Sequence, residues 1–273
     1  MNGPDLVDRA QQVSIEMILS KKKRRSELME RELPGAWLSM VKRNVLYYSC
    51  LPPDYQRRLQ GLIQVFLAEK RFEGCGGLVI TDEIRLTIAA QACVLLLGLE
   101  GNFYPKLQSI LVYPSAYVAP ARRRLPDGTF DESPQVRLGE TWSQGSLVLA
   151  WDDVQKSAYF IHSGHNVVFH EFAHQLDLEY GGADGIPLLP SRSMYTTWAR
   201  VLSMEYESFL KDLEYHRKTL LDEYGATDVA EFFAVTTEFF FERPIQLAAR
   251  HPALYNQLKL FFKQDPASWP RTC

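Results

Sequence analysis

An α+β fold, mostly helical with a small sheet ahead of one histidine-bearing helix, follows from three observations on this chain of 273 residues. Apolar side chains recur at helical spacing through most of the sequence, as in Leu59, Leu62, Ile63 and Phe66. Short strand-like runs are confined to the middle of the chain, before that helix. Helix start signals (Pro52-Pro53, Thr81-Asp82, Asn166, Thr227-Asp228) each precede an apolar run. Hydrophobic residues make up 46% of the chain, enough for a real core.

In chain order, residues 5–32 read as a peripheral helix closed by Pro34-Gly35. Pro52-Pro53 opens a helix running to Lys70, and Thr81-Asp82 caps a second to Leu97. A strand over 110–113 ends at Pro114. Residues 120–134 form a loop rich in arginine, proline and aspartate with a turn at Asp127-Gly128. Strands over 136–141 and 146–151, joined at Gln144-Gly145, make a hairpin. The segment 148–151 is the candidate sheet edge for pairing with an extended peptide, the alternative being an internal strand. Then come the helix capped by Asn166 and a loop through Gly181, Gly182 and Gly185. A long helix over 194–210, a helix from Thr227 or Asp228, and a last one over 252–263 complete the chain.

A net charge of −3 gives no general reason for direct nucleic-acid binding. Cys50, Cys75, Cys93 and Cys273 are scattered, with no pair at metal-clip spacing, which predicts reduced thiols in a cytosolic compartment. Asp5, Asp8 and Glu16 interrupt any apolar core of a secretion signal. The run Lys21-Lys22-Lys23-Arg24-Arg25 reads as a solvated helix face, with weak contact to anionic lipid or nucleic acid as the lesser alternative. The most apolar stretch, 88–99, is broken by Gln91 and ends at Gly98 and Gly101, too short for a bilayer. These readings predict a cytoplasmic protein with no membrane anchor.

His170-Glu171-Phe172-Ala173-His174 is the most informative segment, an HExxH pattern. Histidines four apart on a helix share one face about 6 Å apart, so both imidazoles can reach one metal ion. Glu171 is rotated about 100° from His170, beside the ligand face, where it can hold a water without being a ligand. Val167, Val168, Phe169, Phe172, Ala173 and Leu176 supply an apolar surround. A catalytic zinc takes three protein ligands and keeps one open position. The metzincin third histidine and its glycine are excluded, because Tyr180 and Asp177 occupy those positions. A carboxylate remains. Asp177, Glu179 and Asp184 are near in sequence; Glu231 and its rival Glu238 lie on a second helix, and Glu231 taken alone reads more readily as a capping-box residue three after Asp228.

Taken together, these segments resemble the Mlc titration factor A family of zinc peptidases and, more distantly, the catalytic domain of anthrax lethal factor. The resemblance is carried by His170, Glu171, His174 and Asp177 in HEFAHQLD and by Asp184-Gly185-Ile186-Pro187. It continues in Tyr224, Thr227, Ala230, Glu231, Phe233 and Ala234 of YGATDVAEFFAV, and in Phe240. Upstream it includes Leu111-Val112-Tyr113-Pro114, Trp142-Ser143-Gln144-Gly145 and the Val148-Leu149 and Trp151 region. It divides the chain into an N-terminal helical extension, 1–49, and a zinc metallopeptidase domain, 50–273, of zincin-like fold. It implies Zn2+ held by His170, His174 and Glu231, with Glu171 as general base to a metal-activated water. Tyr224, seven residues ahead of Glu231, is implied as a hydroxyl donor to the oxyanion. Asp177 and Asp184 are candidates to orient an imidazole N–H. His162, His165, His216 and His251 have no partner spacing and read as ordinary polar or partly buried residues.

The function this implies is soluble, zinc-dependent hydrolysis of peptides, aminopeptidase-like in its relatives. The alternative is a regulatory protein that sequesters a transcriptional repressor of sugar-uptake genes, since relatives bind one; no motif of this chain marks such a surface.

Overall fold

The computed structural model describes residues 19–115, 117–120, 123–124, 130–131, 134–137, 139–142, 145–179, 182 and 184–270, with strand backbones alone between 116 and 144. The start of the expected first helix, the Asp127-Gly128 turn, Gln144, Tyr180, Gly181 and Cys273 fall outside these residues.

Helix α1 covers 19–30. Its basic run is not wholly solvated as expected: Arg25 Nε and Nη2 donate to Glu69 Oε1 and Oε2 at 2.6 and 2.7 Å, and its guanidinium lies 4.3 Å from the Phe103 ring centre. Pro34 does more than close the first helix. It starts α2 (Gly35–Asn44), which leads to α3 (Tyr47–Cys50), neither of which periodicity had revealed. In α4 (Pro53–Glu69) proline stands in the first turn, where no N–H partner is needed, and Leu59, Leu62, Ile63 and Phe66 form the buried face. A short strand, β1 (Arg71–Gly74), follows. Helix α5 (Asp82–Val94) is capped by Thr81, whose hydroxyl accepts from Ile84 N.

Strand β2 (Ser109–Tyr113) buries alternate residues. The 120–134 stretch is not a plain loop. Strands β3 (Tyr117–Pro120), β4 (Arg123–Arg124), β5 (Phe130–Asp131) and β6 (Pro134–Arg137) pair antiparallel, β3 with β6 and β4 with β5. The expected hairpin is β7 (Gly139–Trp142) against β8 (Ser146–Ala150). The main sheet has the order β1-β2-β8-β7, with β1, β2 and β8 parallel and β7 antiparallel to β8. The candidate edge at 148–151 is therefore corrected. Strand β8 is internal, with Leu147–Ala150 all buried, and among the described residues β7 and β1 are the edge strands.

Trp151 does not extend the strand but begins α6 (Trp151–Tyr159), with Asp152 and Asp153 in its first turn. Then follow α7 (Val167–Asp177), α8 (Arg192–Glu214), α9 (Val229–Glu242), α10 (Pro244–Arg250) and α11 (Pro252–Phe262). The architecture is α+β, mostly helical, with the main sheet entirely ahead of α7. Among the described residues, no helix is long and apolar enough to cross a membrane.

One core joins these layers. Phe172, on the face of α7 turned from the histidines, packs on Tyr104 and Phe66 with ring centres 4.8 and 5.8 Å apart. Phe169 meets Tyr47 and Phe241 at 5.1 and 5.2 Å. Leu33, Val41, Val45 and Tyr47, from the segment read as an N-terminal extension, share this core. The expectation of reduced thiols fails at Cys50, which is disulfide-bonded; Cys75 and Cys93 are free. Because Phe172 is fully buried, Phe172→Ala should cost about 3–5 kcal/mol in equilibrium denaturant unfolding.

Candidate metal centre

Two capped helices converge on this site. Asn166 Oδ1 accepts from Phe169 N at 3.0 Å and fixes the start of α7. Asp228 Oδ1 accepts from Glu231 N at 2.9 Å and fixes the start of α9. Helix α7 packs along α9, so the histidine face of one meets the glutamates of the other.

The imidazoles of His170 and His174 have ring centres 5.0 Å apart, close to the helical expectation. Glu231 Oε2 lies 2.9 Å from His170 Nε2 and 3.3 Å from His174 Nε2. One ligand atom from each of these residues falls within 4.8 Å of the others. The capping reading of Glu231 and the ligand reading coexist: its backbone N–H is capped while its carboxylate turns to the histidines. Two imidazole nitrogens and one carboxylate oxygen suit a zinc ion and leave a fourth position for water or substrate. Glu171 is buried at 6% exposure on the adjoining face of α7.

Burial disfavours charge on His170 and Glu231, but their mutual hydrogen bond and those to Glu238 and His174 outweigh it. The His170 imidazolium is held well above its ordinary pKa and Glu231 down to about 2. Tyr224 stands on the short turn Glu223–Ala226, its ring 5.8 Å from that of His170. Partial burial, then the charges of Glu231 and Glu171, push its phenol up to about 12, so at neutral pH it remains a donor.

Neither Asp177 nor Asp184 takes the imidazole-orienting place expected for them. Asp177 Oδ2 accepts from Gly185 N at 2.8 Å, and Asp184 Oδ1 from Ile186 N at 3.2 Å. Burial pushes Asp177 up to about 6 despite that N–H. Both aspartates brace the loop after α7. Glu179 accepts from Asn102 Nδ2 at 2.7 Å. The carboxylate that meets the other ring nitrogen of His170 is Glu238, with Oε1 2.8 Å from Nδ1. His165, read as an ordinary polar or partly buried residue, places its Nδ1 3.3 Å from Glu238 Oε2.

The profile of a family described as glucose-regulated metallo-peptidase M90 matches residues 19–263. The chain belongs to this family. It is 42% identical over 245 residues to an uncharacterised protein of Synechocystis, 89% of each chain being covered. It is 37% identical over 222 residues to the Mlc titration factor A of Serratia proteamaculans, covering 79% of this chain and 84% of that one. The Klebsiella pneumoniae protein of the same name is 35% identical over 219 residues, with 79% and 82% covered.

In this M90 family member, the loop that follows α7 packs closely against the start of α9. Gly185 adopts φ +74°, a Cβ there would lie 2.8 Å from Val229 O, and its carbonyl accepts from Trp198 Nε1 at 2.9 Å. Val229 is in the first turn of α9, two residues before Glu231. Glycine is thus required both by the left-handed backbone and by the close approach. Gly185→Ala should destabilise the fold by about 1–2 kcal/mol from backbone strain alone. It should also displace Glu231 and lower metal uptake, measured by thermal melting and elemental analysis of the purified variant.

Proposed function

We propose that this chain is a zinc-dependent peptidase of zincin-like fold that hydrolyses peptide bonds, aminopeptidase-like, with 50–273 as its catalytic part and 1–49 an N-terminal extension whose described residues, 19–49, are mostly helical and pack on it. The carrying observation is the convergence of His170 Nε2, His174 Nε2 and Glu231 Oε2 beside buried Glu171, in a metallopeptidase family member. A bound zinc ion would polarise the scissile carbonyl and make water acidic enough to ionise near neutral pH. Glu171 accepts a proton from the attacking water and delivers it to the leaving amine. The Tyr224 hydroxyl donates a hydrogen bond to the carbonyl oxygen as negative charge develops there. An extended substrate would pair with β7, the sheet edge beside α7, which holds a backbone with little regard to sequence.

The names of the Serratia and Klebsiella relatives favour a second reading, in which this chain also titrates a transcriptional repressor. Both readings can hold for one protein, because a repressor surface need not include the metal centre.

Elemental analysis combined with a screen of chromogenic aminoacyl and peptide substrates, with and without chelator, tests the peptidase. Zinc near one equivalent and chelator-sensitive hydrolysis are expected; a protein that takes up no zinc refutes the reading. Glu171→Gln should retain zinc yet lose at least about 10²-fold in hydrolysis, the lower range for removing a general base. A fully active variant would exclude Glu171 as base.

Tyr224→Phe separates catalysis from packing, since phenylalanine keeps the ring and deletes one hydroxyl. A fall in kcat of roughly 10-fold or more with little change in KM or zinc content is expected for a donor that acts in the transition state. Unchanged turnover would remove Tyr224 from the catalytic set.

A further inference from the structure

Glu238 lies two turns beyond Glu231 on α9 and is only 3% exposed. Its oxygens are divided between tasks. Oε1 meets His170 Nδ1 at 2.8 Å, while Oε2 accepts from Asn166 N at 2.5 Å and faces His165 Nδ1 at 3.3 Å. Asn166 is the residue that caps α7, and its side-chain amide donates to Gln91 Oε1 at 3.2 Å and Glu242 Oε1 at 3.3 Å. One turn after Glu238, fully buried Glu242 accepts from Tyr47 Oη at 2.6 Å and Ser163 N at 3.0 Å. The support behind His170 therefore runs through the start of α7 into α3.

Burying a carboxylate is a poor route to stability. Ionised groups lose several kcal/mol of hydration on burial, and well-packed apolar replacements of such groups often serve the fold as well or better. What a carboxylate gives and an apolar residue cannot is direction. An acceptor on Nδ1–H fixes both the ring plane and the tautomer of a histidine, leaving the Nε2 lone pair for a metal.

We propose that Glu238 is a positioning residue of the metal centre, holding His170 by Nδ1 so that Nε2 faces the space it shares with His174 and Glu231. This rests on the metal-binding reading of those three residues. Because the same carboxylate holds Asn166 N, it sets the ring and the first turn of α7 together. Its negative charge also makes the imidazole a stronger donor to metal.

The test is Glu238→Gln, nearly the same shape without the charge. Zinc affinity is measured by competition with a chromogenic chelator, ligand geometry by the absorption spectrum of the cobalt-substituted protein, and stability by melting of the metal-free form. The zinc dissociation constant is expected to rise about 10–100-fold, the usual effect of losing such a partner. The cobalt spectrum is expected to change as well. A merely structural role predicts the opposite pattern, a lower metal-free melting temperature with zinc affinity and cobalt spectrum unchanged, and overturns the proposal. If Glu238→Gln does not fold, Glu238→Asp keeps the charge but draws it back from His170. It should weaken zinc and alter the spectrum, and an affinity within about twofold of wild type overturns the proposal. Wild-type protein that binds no zinc refutes the metal-binding reading itself; wild type that binds zinc beside an equally tight Gln variant refutes only the role of Glu238.

Discussion

One imidazole pins the crossing of α7 and α9. His170 is held at Nε2 by Glu231 and at Nδ1 by Glu238, at 2.9 and 2.8 Å. Two turns of helix take about 7.2 residues, so glutamates seven apart share a face and can grip one ring from opposite sides. That grip works only if the helices cross at one place. Asn166 and Asp228 fix where each helix begins, and the Gly185 turn fits against Val229 because it carries no Cβ. His174 follows from His170 by helical geometry alone.

The face of α9 turned to α7 carries Glu231, Glu238 and Glu242, a concentration of acid that burial alone would not tolerate. The three are treated differently. Burial opposes ionisation at each, but histidine hydrogen bonds prevail at Glu231 and Glu238 and hold both below the usual carboxylate range. At Glu242 the donors are the neutral Tyr47 and Asn166 groups and the Ser163 and Gly164 backbone; burial prevails, and its carboxyl is raised from its ordinary value. Ionisation is thus favoured where a carboxylate faces imidazole and opposed one turn further along.

Much of this could be read from local sequence. The HExxH segment, the Asn166 and Thr81 caps, the buried face of α4 and the β7–β8 hairpin each rest on spacing within about twenty residues. What escaped depends on contacts between distant segments. Glu238 shares a face with Glu231, so spacing left it a rival ligand; only the crossing of α7 shows which ring nitrogen each meets. Asp177 was a candidate to orient a histidine because it lies one turn on, yet its partner is a glycine backbone in a loop whose path sequence does not reveal. The edge strand was misplaced for the same reason, since alternation says nothing about which neighbour pairs outermost. Helices α6 and α10 did carry local signals, Asp152-Asp153 and Pro244 in their first turns, hidden by adjoining elements.

The site's geometry is built by packing rather than by the ion it suits. In small zinc modules the metal supplies most of the folding free energy, because no core holds the ligands together without it. Here the ligand helices are fixed from behind. Phe169 and Phe172 anchor α7 to Tyr47, Phe241, Tyr104 and Phe66; Phe233 and Phe240 anchor α9 to Trp198, Tyr255 and Phe262. Ring burial of this extent makes the histidine and glutamate positions a property of the folded chain. Little backbone ordering then remains to oppose metal binding, and affinity depends on how well each donor is aimed. Aiming is set by polar contacts and not by apolar area, and this is the physical basis of the role proposed for Glu238, the buried carboxylate at His170 Nδ1.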